Sequence, residues 1–239
     1  MTNLLHIVAL SGGKDSTATA LRLAEVEPRE YIYVTTPTGD ERVGVLPHFD
    51  RLEQLLGQPI IRLAHPLGLR GLIRRDKTLP NFRMRFCTRI LKAEPYVDWL
   101  EQHTPCISYV GLRADEQDRV GFKRLGIAGV EIDYPLRRWG WGVQQVYGYL
   151  ANRNVVIPKR TDCKRCFHQR LIEWWELWQF DAEGWVEAEE DEALTGFTFR
   201  TAGRDEWPVA LADLRKEFER GRKPPDTRDR PGMCQLCML

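Results

Sequence analysis

No apolar run in this chain approaches the ~20 residues that a helix needs to cross a bilayer. Met1 to Leu10 also lack the charged start and small-residue cleavage site of a secretory leader. The expectation is a soluble, cytoplasmic protein without a membrane partner. Internal repeats and low-complexity linkers are missing too, which excludes repeat architectures. Excess charge of one sign is absent: 35 Lys and Arg against 34 Asp and Glu leave a formal net charge of +1. That balance conceals clustering, with Arg70, Arg74, Arg75, Arg83, Arg85 and Arg89 in one stretch and acids gathered between Glu183 and Glu192. Dense arginine suits phosphate or carboxylate recognition, because the planar guanidinium makes two parallel hydrogen bonds; a solvated charged face is the plainer reading.

What is present is enough for one large α/β domain with a small appendage: 239 residues, 43% of them hydrophobic. Leu4 to Leu10 reads as a strand, followed by glycines and a helix-friendly stretch from Ser16 to Glu25. Tyr31 to Thr35, Pro59 to Leu63 and Ile107 to Leu112 read as further strands, Leu46 to Leu56 and Thr88 to His103 as helices, and Arg70 to Arg85 as irregular and basic. Strands alternating with helices imply parallel pairing in a doubly wound sheet with helices on both faces. Ligands in that architecture bind beyond the carboxyl ends of the strands. Near Pro158 the alternation gives way to a Cys-, Trp- and acid-rich region, small and mainly helical. Residues 1–157 are thus expected to form the α/β domain and 158–239 a distinct C-terminal region. Aromatic residues from Phe167 to Phe180 recur at helical spacing, as a core stripe or as a platform for stacking bases.

Directly after the first strand stands Ser11-Gly12-Gly13-Lys14-Asp15-Ser16-Thr17. Two glycines let successive N–H groups face one anion, the helix start adds its positive dipole end, and Lys14 with the hydroxyls adds further donors. A turn with a helix cap would use similar residues. The Walker A pattern, Gly-x-x-x-x-Gly-Lys-Ser/Thr, is absent.

The whole string resembles the PP-loop of ATP pyrophosphatases. Thr38-Gly39-Asp40-Glu41, Cys87 to Pro95, Gly111-Leu112-Arg113-Ala114-Asp115-Glu116 and Tyr134 to Trp139 come in the order seen in the phosphoadenosine phosphosulfate reductase branch. The resemblance covers roughly residues 4 to 170. It implies an enzyme that cleaves ATP between the α and β phosphates, attaches AMP to an acceptor oxygen and lets a nucleophile displace it. On this reading Ser11 to Thr17, Thr38, Gly39, Gly111 and Arg113 bind the nucleotide, Asp15 helps to hold Mg2+ and pyrophosphate, and Lys14, Asp15, Cys87 and Arg113 carry the chemistry. A nucleic-acid or nucleobase acceptor and a sulfur-donor protein are the partners implied. Two departures separate the chain from true sulfonucleotide reductases. It ends Met233-Cys234-Gln235-Leu236-Cys237-Met238-Leu239 in place of a Glu-Cys-Gly-type tail, and its loop is intact where theirs is degenerate. Both favour ATP as ligand. A sulfonucleotide reductase or sulfotransferase-like enzyme and a non-catalytic nucleic-acid-binding module stand as alternatives.

Four of the six cysteines form two Cys-x-x-Cys pairs, Cys163/Cys166 and Cys234/Cys237. In a reducing compartment this spacing points to metal or thiol chemistry, and four thiolates suit tetrahedral zinc or an iron–sulfur cluster. Resemblance to cluster-bearing reductases adds Cys87 as an alternative ligand beside Cys163, Cys166 and one tail cysteine. Failing that, Cys87 lies among Arg83, Arg85, Arg89 and Lys92, which should depress its pKa and make it a nucleophile or sulfur carrier.

Overall fold

The computed structural model describes residues 4–119, 121 and 126–226. Strands β1 (Leu5–Ala9), β2 (Ile32–Thr35), β3 (Ile60–Arg62), β4 (Cys106–Tyr109) and β5 (Val130–Asp133) form one sheet in the order β3-β2-β1-β4-β5. Every pairing is parallel, as the alternation of strands and helices requires. Both faces are covered. Ile7 and Val34 pack against Tyr96 and Leu100 of α5 (Glu94–Glu101), while Val8, Tyr33 and Tyr109 pack with Leu23 of α1 (Lys14–Val26) and Phe49 of α2 (Val45–Leu56). Burial on two sides explains why the central strands β1 and β2 are apolar at most positions.

The strand order also fixes where a ligand can enter. β2 and β3 extend one side of β1, and β4 and β5 the other, so the direction of winding changes beside β1. Connections diverge at such a point and leave a crevice beyond the carboxyl ends of β1 and β4. Helices α6 (Pro135–Arg138) and α7 (Val143–Asn152) pack on α1 through Leu136, Val146, Leu150 and Ala18.

A second core surrounds Trp174. Leu69, Leu72 and Ile73 of α3 (Gly68–Asp76) meet Trp174 and Leu177 of α8 (Leu171–Phe180), Trp185 of α9 (Ala182–Thr195) and Leu214 and Phe218 of α10 (Leu211–Glu219). α3 corrects the expectation of an irregular segment from Arg70 to Arg85. Its apolar residues fall at i, i+3 and i+4, a pattern that the intervening arginines and Gly71 obscure in the sequence. The helix expected over Phe167 to Phe180 begins only at Leu171, because residues 163–170 turn tightly through the cysteine pair. Its aromatic stripe is core: Trp174 and Leu177 are buried, not displayed for stacking. The long helix expected from Thr88 to His103 is built in pieces, α4 (Phe86–Thr88), a π-helical turn (Arg89–Ala93) and α5. Pro95, in the first turn of α5, has no N–H to offer Leu91, so the regular i→i−4 ladder is interrupted there.

Candidate functional site

The turn between β1 and α1 is shaped by its glycines. Gly12 has φ +75°, a left-handed conformation, and a Cβ there would lie 3.1 Å from the Phe49 ring. Gly13 caps α1 without any side-chain hydrogen bond, so the N-terminal end of that helix keeps its positive dipole for a ligand. Ser11 and Ser16 brace the loop: their Oγ atoms are 3.0 Å apart, and Ser16 Oγ donates to the Gly13 carbonyl at 3.1 Å. Thr17 is turned inward, with its hydroxyl 3.5 Å from His48 Nε2. Burial lowers the pKa of His48 to about 4, helped by Arg51 and opposed by the Gly12 backbone, so a neutral imidazole backs the loop.

Gly111, at the exit of β4, presses on the same turn. A Cβ would come within 2.9 Å of the Asp15 carbonyl carbon and the Ser16 nitrogen, a distance no side chain tolerates. Arg113 comes next and donates from Nη1 to Asp15 Oδ2 at 2.8 Å and from Nε to Asp115 Oδ1 at 2.8 Å. Lys14 Nζ lies 3.3 Å from the same Asp15 Oδ2. The other oxygen, Asp15 Oδ1, is buried with no hydrogen-bond partner. An orphaned carboxylate oxygen beside a row of amides fits a divalent cation carried by a polyphosphate.

Above the loop opens a cavity of about 600 Å³, within the range of small-molecule sites. Ser11, Gly13, Lys14, Asp15, Ser16 and Gly111 line it, as do Thr35 to Pro37 at the end of β2. Further cations come from Lys92, Arg119, Lys159, Arg160 and Arg170, against the carboxylates of Asp15, Glu41, Asp162 and Glu173. Positive charge therefore predominates around the cavity, which suits a phosphate.

Gly12, Thr17, Thr38, Gly39, Arg113 and Cys87 are not on the lining. Donors of the Thr38–Gly39 turn are already taken by Glu41: the Thr38 amide and hydroxyl donate to Oε1 at 2.6 and 2.8 Å, and the Gly39 amide to Oε2 at 3.0 Å. It is Glu41 that faces the cavity. Arg160 and Arg170 were illegible from the sequence, since only long-range folding brings the segment after Pro158 over the loop. Lys92 lay within the Cys87 to Pro95 motif and could have been chosen from it. Arg160 is pinned by Asp162 and Glu173, so its charge is fixed in place on the cavity wall.

The Cys163–Cys166 loop is strapped to the end of β2. Lys164 N donates to the Asp40 carbonyl at 2.8 Å, Arg165 Nε to Asp40 Oδ1 at 2.8 Å, and Arg165 Nη1 to Asp191 Oδ2 at 3.1 Å, with Asp40, Arg165 and Asp191 all buried. Cys163 Sγ lies 3.2 Å from Thr38 Oγ1. Cys166 lies within electrostatic range of Cys163 and of Cys87; Lys92 acts on Cys163 and Cys87, Arg85 on Cys87 and Arg160 on Cys166. Burial is the larger influence. It raises the Cys166 thiol to about 12 and pushes Cys163 higher still. Cys87 is raised as well, by burial, which corrects the expectation that neighbouring arginines depress it. Among the described residues no three His, Cys, Asp or Glu side chains are set to hold a metal ion. Cys234 and Cys237, the other half of the expected ligand set, lie outside the described residues.

No protein-family model and no curated protein matches the sequence. Solved structures do. Phosphoadenylyl-sulfate reductase from Candida auris, in its phosphate complex, is similar over 65% of this chain and 76% of its own, with 12% identity and a TM-score of 0.52. U34-tRNA thiolase NcsA from Methanococcus maripaludis, solved with its 4Fe-4S cluster, is similar over 94% of this chain and 83% of its own, with 15% identity and a TM-score of 0.50. No helix among the described residues is long and apolar enough to cross a membrane. With a glycine-rich turn opening α1 at the switch point of a five-stranded parallel sheet, the chain shares the α/β fold of these two structures.

Proposed function

We propose that the protein is an ATP-dependent adenylating enzyme that activates an acceptor for sulfur or nitrogen insertion. The observation that carries this reading is the intact phosphate loop, uncapped and cationic, with the orphaned Asp15 Oδ1 beside it. An acceptor oxygen attacks the α phosphorus of ATP, the bond to the β-phosphate oxygen breaks, and pyrophosphate leaves with that bond's electron pair. A sulfur or nitrogen nucleophile then displaces AMP from the acceptor. The chain's own part is electrostatic: loop amides and Lys14 meet the departing pyrophosphate, Arg119 and Lys92 lie across the cavity, and Arg113 holds Asp15 in place. Mg2+ would be held by Asp15 together with the phosphates, where it neutralises their charge. Residues 1–157 would supply this nucleotide chemistry, and 158–239 the cavity wall and a metal site. That site, for zinc or a 4Fe-4S cluster, would use Cys163, Cys166, Cys234 and Cys237, with Cys87 as the alternative ligand. Thiolate charge there would be offset by Lys92, Arg85 and Arg160. A cluster would supply sulfur chemistry, and zinc a structural clamp. The thiolase relative is named for a tRNA, which supports a nucleic-acid acceptor.

Pyrophosphate release from ATP tests the reading. Lys14→Ala and Asp15→Ala should each lower the rate by roughly 100-fold or more while leaving the fold intact. Absence of release with every nucleic acid and small acceptor would sink it. The backbone likeness to the phosphoadenylyl-sulfate reductase supports a second reading, sulfonucleotide reduction. Calorimetry separates the two, since that enzyme should bind adenylyl or phosphoadenylyl sulfate more tightly than ATP.

A further inference from the structure

Most surface arginines among the described residues are neutralised by carboxylates. Arg70 and Arg74 meet Glu187 and Glu190, Arg62 meets Asp50, and Arg138 meets Glu27 and Asp133. A few arginines depart from that pattern. Among the described residues, Arg83 and Arg204, like Arg51 and Arg137 elsewhere, have no carboxylate within ion-pair distance; Arg204 is held instead by its Nη1, which donates to the Gln169 carbonyl at 3.1 Å. The charges of Arg85 and Arg204 both act on the ring of His168.

The same patch exposes aromatic and thioether surface. Phe82 is 54% exposed and Met84 50% exposed, on the segment between α3 and α4. The Phe82 ring meets Phe167 edge-on at 5.1 Å and His168 edge-on at 4.8 Å, so its position is fixed although much of it stays accessible. Arg170, two residues beyond His168, lines the nucleotide cavity, and Arg160 and Asp162, which also line it, act on the His168 ring. The guanidinium of Arg204, without a carboxylate partner, and a propped, exposed ring thus lie together at the edge of the proposed active site, with Arg83 next to that ring in the chain.

We propose that this patch, Phe82, Met84 and His168 with Arg83, Arg85 and Arg204, docks an unpaired nucleic-acid strand whose base is presented to the cavity. Phosphodiesters supply the negative charge that Arg83 and Arg204 lack, and unpaired bases supply flat rings to stack on Phe82 and His168. A duplex offers the charge but hides the base faces. The proposal rests on the adenylation reading, because it names the acceptor that ATP would activate.

Fluorescence anisotropy with a short labelled RNA, the DNA of the same sequence and the corresponding duplex, using the full-length protein, tests it. Single strands should bind more tightly than duplex, and the RNA and DNA arms identify which strand is the partner. Phe82→Ala should weaken single-strand binding roughly 10-fold, and Phe82→Trp should retain it. Arg83→Glu with Arg204→Glu should lower the log–log salt slope by roughly 1 to 2, whereas Arg29→Glu, before the amino end of β2 and so away from the ligand crevice, should leave it unchanged. ATP binding is measured on every variant by calorimetry. If wild-type protein binds ATP but neither single strand, or prefers duplex, or if the patch variants bind single strands as well as wild type does, the platform is overturned while the nucleotide reading stands. Loss of ATP binding in wild type would instead overturn the adenylation reading beneath it.

Discussion

Two walls face each other across the cavity, and they are held by different forces. On the phosphate-loop side the contacts are short-range: Ser11 with Ser16, Ser16 with Gly13, and glycines whose missing side chains let backbone press on backbone. On the cysteine-loop side the partners are 125 residues apart in the chain, Thr38 with Cys163 and Asp40 with Arg165, and the second of these contacts is charged and buried. The first wall leaves donors free for a ligand. The second uses its donors and acceptors to hold itself together, which makes it a rigid frame whose cost is desolvated charge.

Breaking the buried side should cost most. Asp40→Ala removes the carboxylate that accepts from Arg165 N and Nε and leaves the guanidinium with only its contacts to Asp191 and Glu187. Loss of about 3–5 kcal/mol in unfolding stability is expected by chemical denaturation; a loss under 1 kcal/mol would mean that the strap is ornamental. A second charge behind this wall responds to pH. Burial raises the Glu192 carboxyl to about 7, against the hydrogen bonds it accepts from Leu211 and Phe199 amides. The raised value sets the sign. Its stabilising contribution is complete below the ordinary glutamate range and is lost as pH rises through about 7. Glu192→Gln should therefore become relatively more stable as pH rises, by on the order of 2–3 kcal/mol between pH 4.5 and 8. Parallel melting temperatures at both ends of that range would contradict this.

The smallest expected effect on stability falls on the other wall. Gly111→Ala inserts a methyl against the backbone of Asp15 and Ser16 and should cost about 1–3 kcal/mol by overpacking. Its effect on ATP affinity should be larger than its effect on melting, since the displaced atoms are the ligand's own donors. Calorimetry with ATP beside a thermal melt compares the two, and equal losses would remove the distinction between a wall that binds and a wall that supports.

This contrast explains what the sequence could reveal. The turn from Ser11 to Ser16 was legible because strand–turn–helix order can be read locally and glycine, hydroxyl and cation stand in consecutive positions there; Gly111 was marked only through the family resemblance. The sheet was legible for the same reason, through apolar runs at β1, β2 and β4. Arg160, Asp162 and Glu173 carry no local signal: their role comes from a fold that brings residue 160 over residue 14. α3 was hidden because charge on its exposed face outweighs Leu69, Leu72 and Ile73 in any average over the segment. The environment of Cys87 was misread because neighbouring arginines are visible in the sequence and burial is not.

The π-helical turn at Arg89–Ala93 has a consequence for how this chain tolerates insertion and deletion. Such a turn holds one residue more than a regular one, so it absorbs an extra residue while the helical segments on its two sides keep their rotational phase. Before it stands Cys87, packed against the Trp174 core; after it stand Tyr96 and Leu100, packed under the sheet; Lys92, within it, reaches the cavity. Removing one residue from the turn would restore ordinary helix with that phase kept, whereas removing one from the regular helix of α5 would swing the segments by roughly 100°. The turn therefore works as a local buffer between two cores that the rest of the fold holds fixed, and a deletion within it should be tolerated better than one beside it.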